Sequence, residues 1–376
     1  MADVFVVADN IVSPLGVTTV DNFRQLTNLA SGVQLHDDKA LAPEPVYASL
    51  FGKHTTFTTD DAAYTKFEAL LIASINDALQ QVAISPTDKK TLLIISSTKG
   101  NIGLLETETL TDELKQRISL QSSANMVAAH FGFVNTPLIV SNACISGLLA
   151  IITGARLIQA GVYENVVVAG ADVISRFIMS GFQSFQAISA EPCKPFDENR
   201  VGITLGEGAG TVVLSAKKIS DTNIKVAGGA TGNDANHISG PSRTGEELSY
   251  VIRQAMQEAG VSATEIDFIS AHGTATIYND EMEAKAIALA GLAHAPVNSL
   301  KGNYGHTLGA AGLIESIITM QSMKAGVVLP TPGFEQLGVS AKINVAKELQ
   351  EKTLTHCLKT ASGFGGCNGA IVFSKI

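Results

Sequence analysis

With 376 residues, 45% of them hydrophobic and 16% charged, the chain is long enough to bury a sizeable core in one large or two medium domains. Its formal net charge of −9 argues against a duplex nucleic-acid binder that works through a broad basic face. It has no uninterrupted run of about 18 apolar residues, and "MADVFVVADNIVSPLG" has no charged segment followed by an apolar one. The reading is therefore a cytoplasmic protein with no membrane span and no partner nucleic acid.

Short runs rich in valine and isoleucine recur along the chain: 3–8, 91–96, 165–171, 210–216, 266–271 and 369–374. Each is continuous and bounded by Gly, Asn, Asp or Ser, as expected of strands covered on both faces. Helical patterns at 64–83, 145–158, 245–260 and 281–291 lie between them. This alternation predicts an α/β layered fold. A polar stretch at 216–235 opens a second set of strands, which divides the chain into units of about 1–218 and 219–376.

The four cysteines are Cys144, Cys193, Cys357 and Cys367. None forms a CxxC pair or a Cys/His cluster with zinc spacing, so no metal is expected. Cys144 precedes an apolar helical pattern, where the helix dipole and free N–H groups favour thiolate; a small buried structural cysteine is the competing reading. His272 ends an apolar run and faces a Gly-Thr turn, a place where catalytic groups of α/β sheets gather. Asp280, Glu281 and Glu283 are accounted for as acids opening the next helix. Lys301 and His306 sit in a glycine-rich connection leading to "GAAGLIES", whose small residues permit close approach of another backbone. "SGFGGCNG" (362–369) offers backbone N–H groups around Phe364 as anion donors.

Taken together, these segments resemble the β-ketoacyl-acyl-carrier-protein synthases of the thiolase-like superfamily. "SPLG" (13–16), "NACISG" (142–147), "KPFDENRVGITLGEGAG" (194–210), "AHGTATIYNDEMEA" (271–284), "KGNYGHTLGAAGLIE" (301–315) and "GFGGCNG" (363–369) are similar to the family's motifs in order and spacing. His306 places the resemblance in the branch that uses two histidines. The chain departs from the family pattern at Asn142, at Val201 of Arg200-Val201-Gly202, and in a shorter 99–124 segment, which in the family's long-chain enzymes lines the acyl pocket.

The resemblance implies two pseudo-duplicated α/β halves in a five-layered α-β-α-β-α arrangement. It also implies decarboxylative condensation of malonyl carrier protein with an acyl group held on Cys144. By the same resemblance, His272 and His306 stabilise the enolate, and Lys301 orients the site through Glu315 and favours neutral imidazoles. Phe364 gates the acyl pocket and supplies an oxyanion donor, while Thr274 and Thr276 bind the pantetheine arm. No cofactor is implied, because phosphopantetheine arrives on the acyl carrier protein. The implied assembly is a homodimer, or a heterodimer with a related subunit. Two alternatives stay open: an inactive chain-length-factor-like partner, and a thiolase, for which Cys367 is the only candidate second cysteine.

Overall fold

The structure is a computed structural model that describes residues 3–52, 55–57, 63–219 and 223–376. Ten strands carry the architecture. The first half contributes β1 (Phe5–Val12), β2 (Thr91–Ser96), β3 (Leu138–Val140), β4 (Asn165–Asp172) and β5 (Gly208–Ser215). The second contributes β6 (Ile224–Asn233), β7 (Phe268–Ser270), β8 (Pro296–Asn298), β9 (His356–Gly363) and β10 (Cys367–Lys375). From the middle of the sheet outward, the order is β1-β5-β4-β2-β3 on one side and β6-β10-β9-β7-β8 on the other, with a two-residue strand at Asn344–Val345 beyond β8.

The second order repeats the first with every strand advanced by five. The directions repeat as well. The inner pairs β1/β5, β5/β4, β6/β10 and β10/β9 are antiparallel, and the outer pairs β4/β2, β2/β3, β9/β7 and β7/β8 are parallel. The duplication implied by the resemblance is thus written in the topology, and the strands are mixed rather than wholly parallel. The two halves of the sheet meet at one pair, Phe5 opposite Lys225.

Six helices complete the layers: α1 (Lys66–Gln80), α2 (Leu120–Phe131), α3 (Ser146–Gln159), α4 (Glu246–Ala259), α5 (Ile277–Leu289) and α6 (Ala311–Ala325). Side-chain alternation assigns them. In β4, Val167 and Ala169 join Phe67, Leu70 and Ile75 of α1 in an outer core, whereas Val166 and Val168 face a central core. In β10, Ile371 and Phe373 face that same centre, and Ala370 and Val372 pack with Val251 and Ile252 of α4. The centre is filled by Leu148, Ile151 and Ile152 of α3 and by Leu313, Ile314 and Ile317 of α6. The result is five layers, with α3 and α6 between the two halves of the sheet. Among the described residues, no helix is long and apolar enough to cross a membrane.

The two central helices cross at glycines. A Cβ on Gly147 would lie 2.8 Å from the backbone nitrogen of Leu313, and one on Gly312 would lie 2.9 Å from that of Leu148. Those distances are closer than packed side chains allow. The small residues of "GAAG" therefore admit the backbone of the helix that follows Cys144. This crossing brings the first half's nucleophile candidate toward the second half's histidines.

Candidate active site

Cys144 lies two residues ahead of α3, just after Ala143, which holds φ at +43°. A positive φ at a residue with a Cβ stores strain, and here it turns the chain sharply between β3 and α3. The side chain is 8% exposed and lines a cavity of about 420 Å³. Both sequence readings therefore hold a part of the truth, since the cysteine is buried yet faces the cavity. The thiolate expectation is corrected. Burial pushes the thiol up to about 12, helped by Cys367 and Asp172 and opposed by Lys301 and by the Phe364 N–H. Loss of water and the neighbouring Cys367 and Asp172 thus favour the protonated thiol, against the direction expected from the helix end.

His272 follows β7 and His306 precedes α6. Their rings are 5.2 Å apart at 83°, and both line the cavity with Cys144. Burial holds each imidazole well below its usual range, with Lys301 the next cause. The Lys301 ammonium donates to Nδ1 of His272 at 3.4 Å, which leaves the His272 proton on Nε2. Lys301 also donates to Glu315 Oε1 at 2.6 Å, so the expected contact between them is present.

The cavity also takes in Thr274, Thr276 and Phe364. The hydroxyls of Thr274 and Thr276 lie 2.9 Å apart, and Thr276 caps α5 by accepting the Asn279 N–H. Phe364 sits in the turn between β9 and β10, where Gly365 and Gly366 take φ values of +87° and +77°. Its ring stacks on Phe182 at 5.7 Å and meets Phe185 edge-on at 5.4 Å. Cys144, His272, Thr274, Thr276, His306 and Phe364 thus line one cavity, with Lys301 and Glu315 behind the histidines.

The acids of α5 are corrected. The helix begins at Ile277, not at 281, with Asp280 in its first turn as expected, while Asp280 and Glu283 are both fully buried. Glu283 accepts the N–H groups of His272 and Gly273 at 2.8 and 2.7 Å, and Asp280 accepts those of Thr274, Ala275 and Phe196. Burial raises the Asp280 carboxyl to about 6. These two carboxylates fix the loop that carries His272 and Thr274. Two acids three positions apart, directly after a histidine turn, were the signal. Lys359, fully buried in β9, also escaped the sequence reading; a lone lysine inside an apolar strand was the mark it left.

The departures from the family pattern also find places. Arg200 is buried and donates to the carbonyls of Asp197 and Gly338, while Val201 is exposed at the cavity wall. Cys367 is not part of the cavity lining, and its thiol points to the carbonyls of Phe364 and Asn142. Cys367→Ser is accordingly expected to leave condensation intact at a stability cost of about 1 kcal/mol. Complete loss of activity in a folded variant would restore the thiolase reading.

Comparison with known proteins identifies the family. The N-terminal domain of β-ketoacyl synthases matches residues 1–219, and the C-terminal domain matches residues 224–335. A 3-oxoacyl-[acyl-carrier-protein] synthase 2 of Vibrio cholerae is 33% identical over 75% of this chain and 75% of its own length. Its namesake in Staphylococcus aureus is 32% identical over 62% of this chain and 60% of its own. Among solved structures, a β-ketoacyl synthase from Burkholderia phymatum superposes with a TM-score of 0.90 at 22% identity over 100% of both chains. A ketosynthase in complex with its chain length factor from Xenorhabdus doucetiae gives 0.87 at 23% identity over 100% of this chain and 98% of that one. These structural likenesses speak for the thiolase-like fold, and the sequence matches for the family. The chain belongs to the β-ketoacyl synthase family.

Proposed function

We propose that the protein is an elongating β-ketoacyl-acyl-carrier-protein synthase, joining a Cys144-bound acyl group to malonyl carrier protein with loss of CO₂. The observation that carries this reading is the convergence of one cysteine, two neutral imidazoles and the Phe364 N–H on one cavity.

In the first half-reaction the Cys144 sulfur attacks an acyl thioester, and the thiol proton leaves with the departing phosphopantetheine thiol. Because the thiol begins protonated, proton loss and attack are coupled. The N–H groups of Cys144 and Phe364 receive the carbonyl oxygen as it gains charge; one such donor is worth about 10²–10³ in rate. Malonyl thioester then enters along Thr274 and Thr276. As its carboxylate leaves as CO₂, the electron pair moves onto the thioester oxygen beside Nε2–H of His272 and the ring of His306. The resulting carbon nucleophile attacks the acyl carbonyl, the bond to the Cys144 sulfur breaks, and the thiolate takes a proton from solvent. Neutral donors suit this step, since an imidazolium would surrender its proton to the enolate. Phe364, stacked on Phe182 and edge-on to Phe185, swings to open the acyl side.

This reading gives the enzyme no cofactor of its own and makes acyl carrier protein its partner. A dimer, with itself or with a related subunit, fits the company kept by its structural relatives. The four free cysteines fit a reducing cytoplasm. The test is intact-protein mass after incubation with carrier thioesters of graded length, including an aryl-primed one. A single adduct on Cys144 with a length preference supports the assignment. No adduct with any of them sinks it and makes the inactive-partner reading the leading one.

A further inference from the structure

Glu315 has two buried cations, not one. Lys301 Nζ lies 2.6 Å from Oε1 and Lys359 Nζ lies 2.7 Å from Oε2, and both lysine side chains are 0% exposed. Lys359 also donates to the carbonyls of Ser270 and Ala271, each at 3.1 Å, and to that of Thr360 at 2.7 Å. Among the described residues four oxygens lie within reach of this nitrogen, acceptors that suit an ammonium with its three N–H groups; burial and Lys301 draw its pKa down, and Glu315 opposes them. Ser270 and Ala271 are the two residues immediately before His272, and Ser270 stands opposite Lys359 in the β7/β9 ladder.

We propose that Lys359 is a positioning residue of the condensation site: it shares Glu315 with Lys301, ties the backbone ahead of His272 to β9, and leaves the Lys-Glu-Lys cluster behind the two imidazoles with an unbalanced positive charge. The proposal rests on the two-histidine reading above. With Lys301 and Glu315 alone the cluster would be a neutral pair with a weak field. The second cation makes a further positive charge at either imidazole unfavourable. Glu283 of α5 is a further charge acting on Lys359; its oxygens accept the N–H groups of His272 and Gly273 and the Thr360 hydroxyl, and its negative charge counts against the positive charge of the cluster. Asp280, one turn earlier on α5, is held by the N–H groups of Thr274, Ala275 and Phe196. Each imidazole faces the other, and Lys359 stands among the causes that lower both, after burial and Lys301 and, for His272, also after His306.

The test compares wild type with Lys359→Gln, Lys359→Met and Lys359→Arg. Gln and Met differ in polarity, so a fold that rejects one buried side chain still has the other. Two quantities are followed against pH: the NMR resonances of His272 and His306 in the unliganded protein, and CO₂ release from malonyl carrier protein. In Gln and Met, both imidazoles are expected to protonate about one pH unit higher than in wild type, and the acid limb of CO₂ release moves up with them. Arg keeps the charge and stays near wild type. Imidazoles that titrate as in wild type in a folded Gln or Met variant overturn the proposal and leave Lys359 a structural tie. If wild type releases no CO₂, the condensation reading fails, while the histidine titration still decides this one.

Discussion

Cys144→Ala is expected to abolish acyl transfer from carrier thioesters, with a loss on the order of 10⁴-fold or more, and to leave the fold intact. Alanine keeps the backbone N–H that is proposed to receive the oxyanion and keeps the strained turn at Ala143. It deletes only a sulfur that makes no ion pair. The two imidazoles are untouched, so the variant should still release CO₂ from malonyl carrier protein. Intact mass and CO₂ measurement separate these outcomes. Full acylation of the alanine variant would remove Cys144 from the mechanism.

His306→Ala reverses the pattern. Acylation of Cys144 continues, while CO₂ release falls by about 10²–10³, the effect of removing one donor aimed at developing negative charge. His306 sits in a rigid frame: its N–H donates to the Thr204 carbonyl at 2.7 Å, and its carbonyl accepts the Gly206 N–H at 3.0 Å. The ring can therefore be deleted without moving the chain. An unchanged CO₂ rate in this variant would exclude His306 from the step. Opposite losses in the two variants would show that one cavity runs two separable half-reactions.

Much of this site was legible in the sequence because its residues carry chemistry on short motifs. Cys144, His272, Lys301, His306 and Phe364 each stand beside glycine or a strand end, and such places rarely host a reactive side chain for packing alone. What was not legible depends on partners far away in the chain. Glu283 reads as an ordinary helix-opening acid until the fold brings its oxygens onto the His272 and Gly273 N–H groups. Lys359 reads as an anomaly in an apolar strand until Glu315, 44 positions earlier, is set beside it. The thiolate expectation for Cys144 failed for the same reason. The helix end is local and visible, whereas the burial that raises the thiol exists only in the assembled fold. The Gly147–Gly312 crossing was half visible, since small residues announced a close approach without saying to what.

The repeated strand order has a further meaning once the reactive groups are placed on it. In the first copy, the segment after the fifth-ranked edge strand β3 carries Cys144 and runs into α3. In the second copy, the segment after its counterpart β8 carries Lys301 and His306 and runs into α6. Corresponding loops of a tandem repeat thus differ in the groups they carry, a cysteine in one and a lysine and a histidine in the other. Under the proposed mechanism neither copy alone has a complete reaction, and the two loops meet because their helices lie against each other in a shared interior. Divergence within the chain is therefore tethered: each loop is free to change its chemistry only so far as the partner loop, fixed across two glycines, can still meet it.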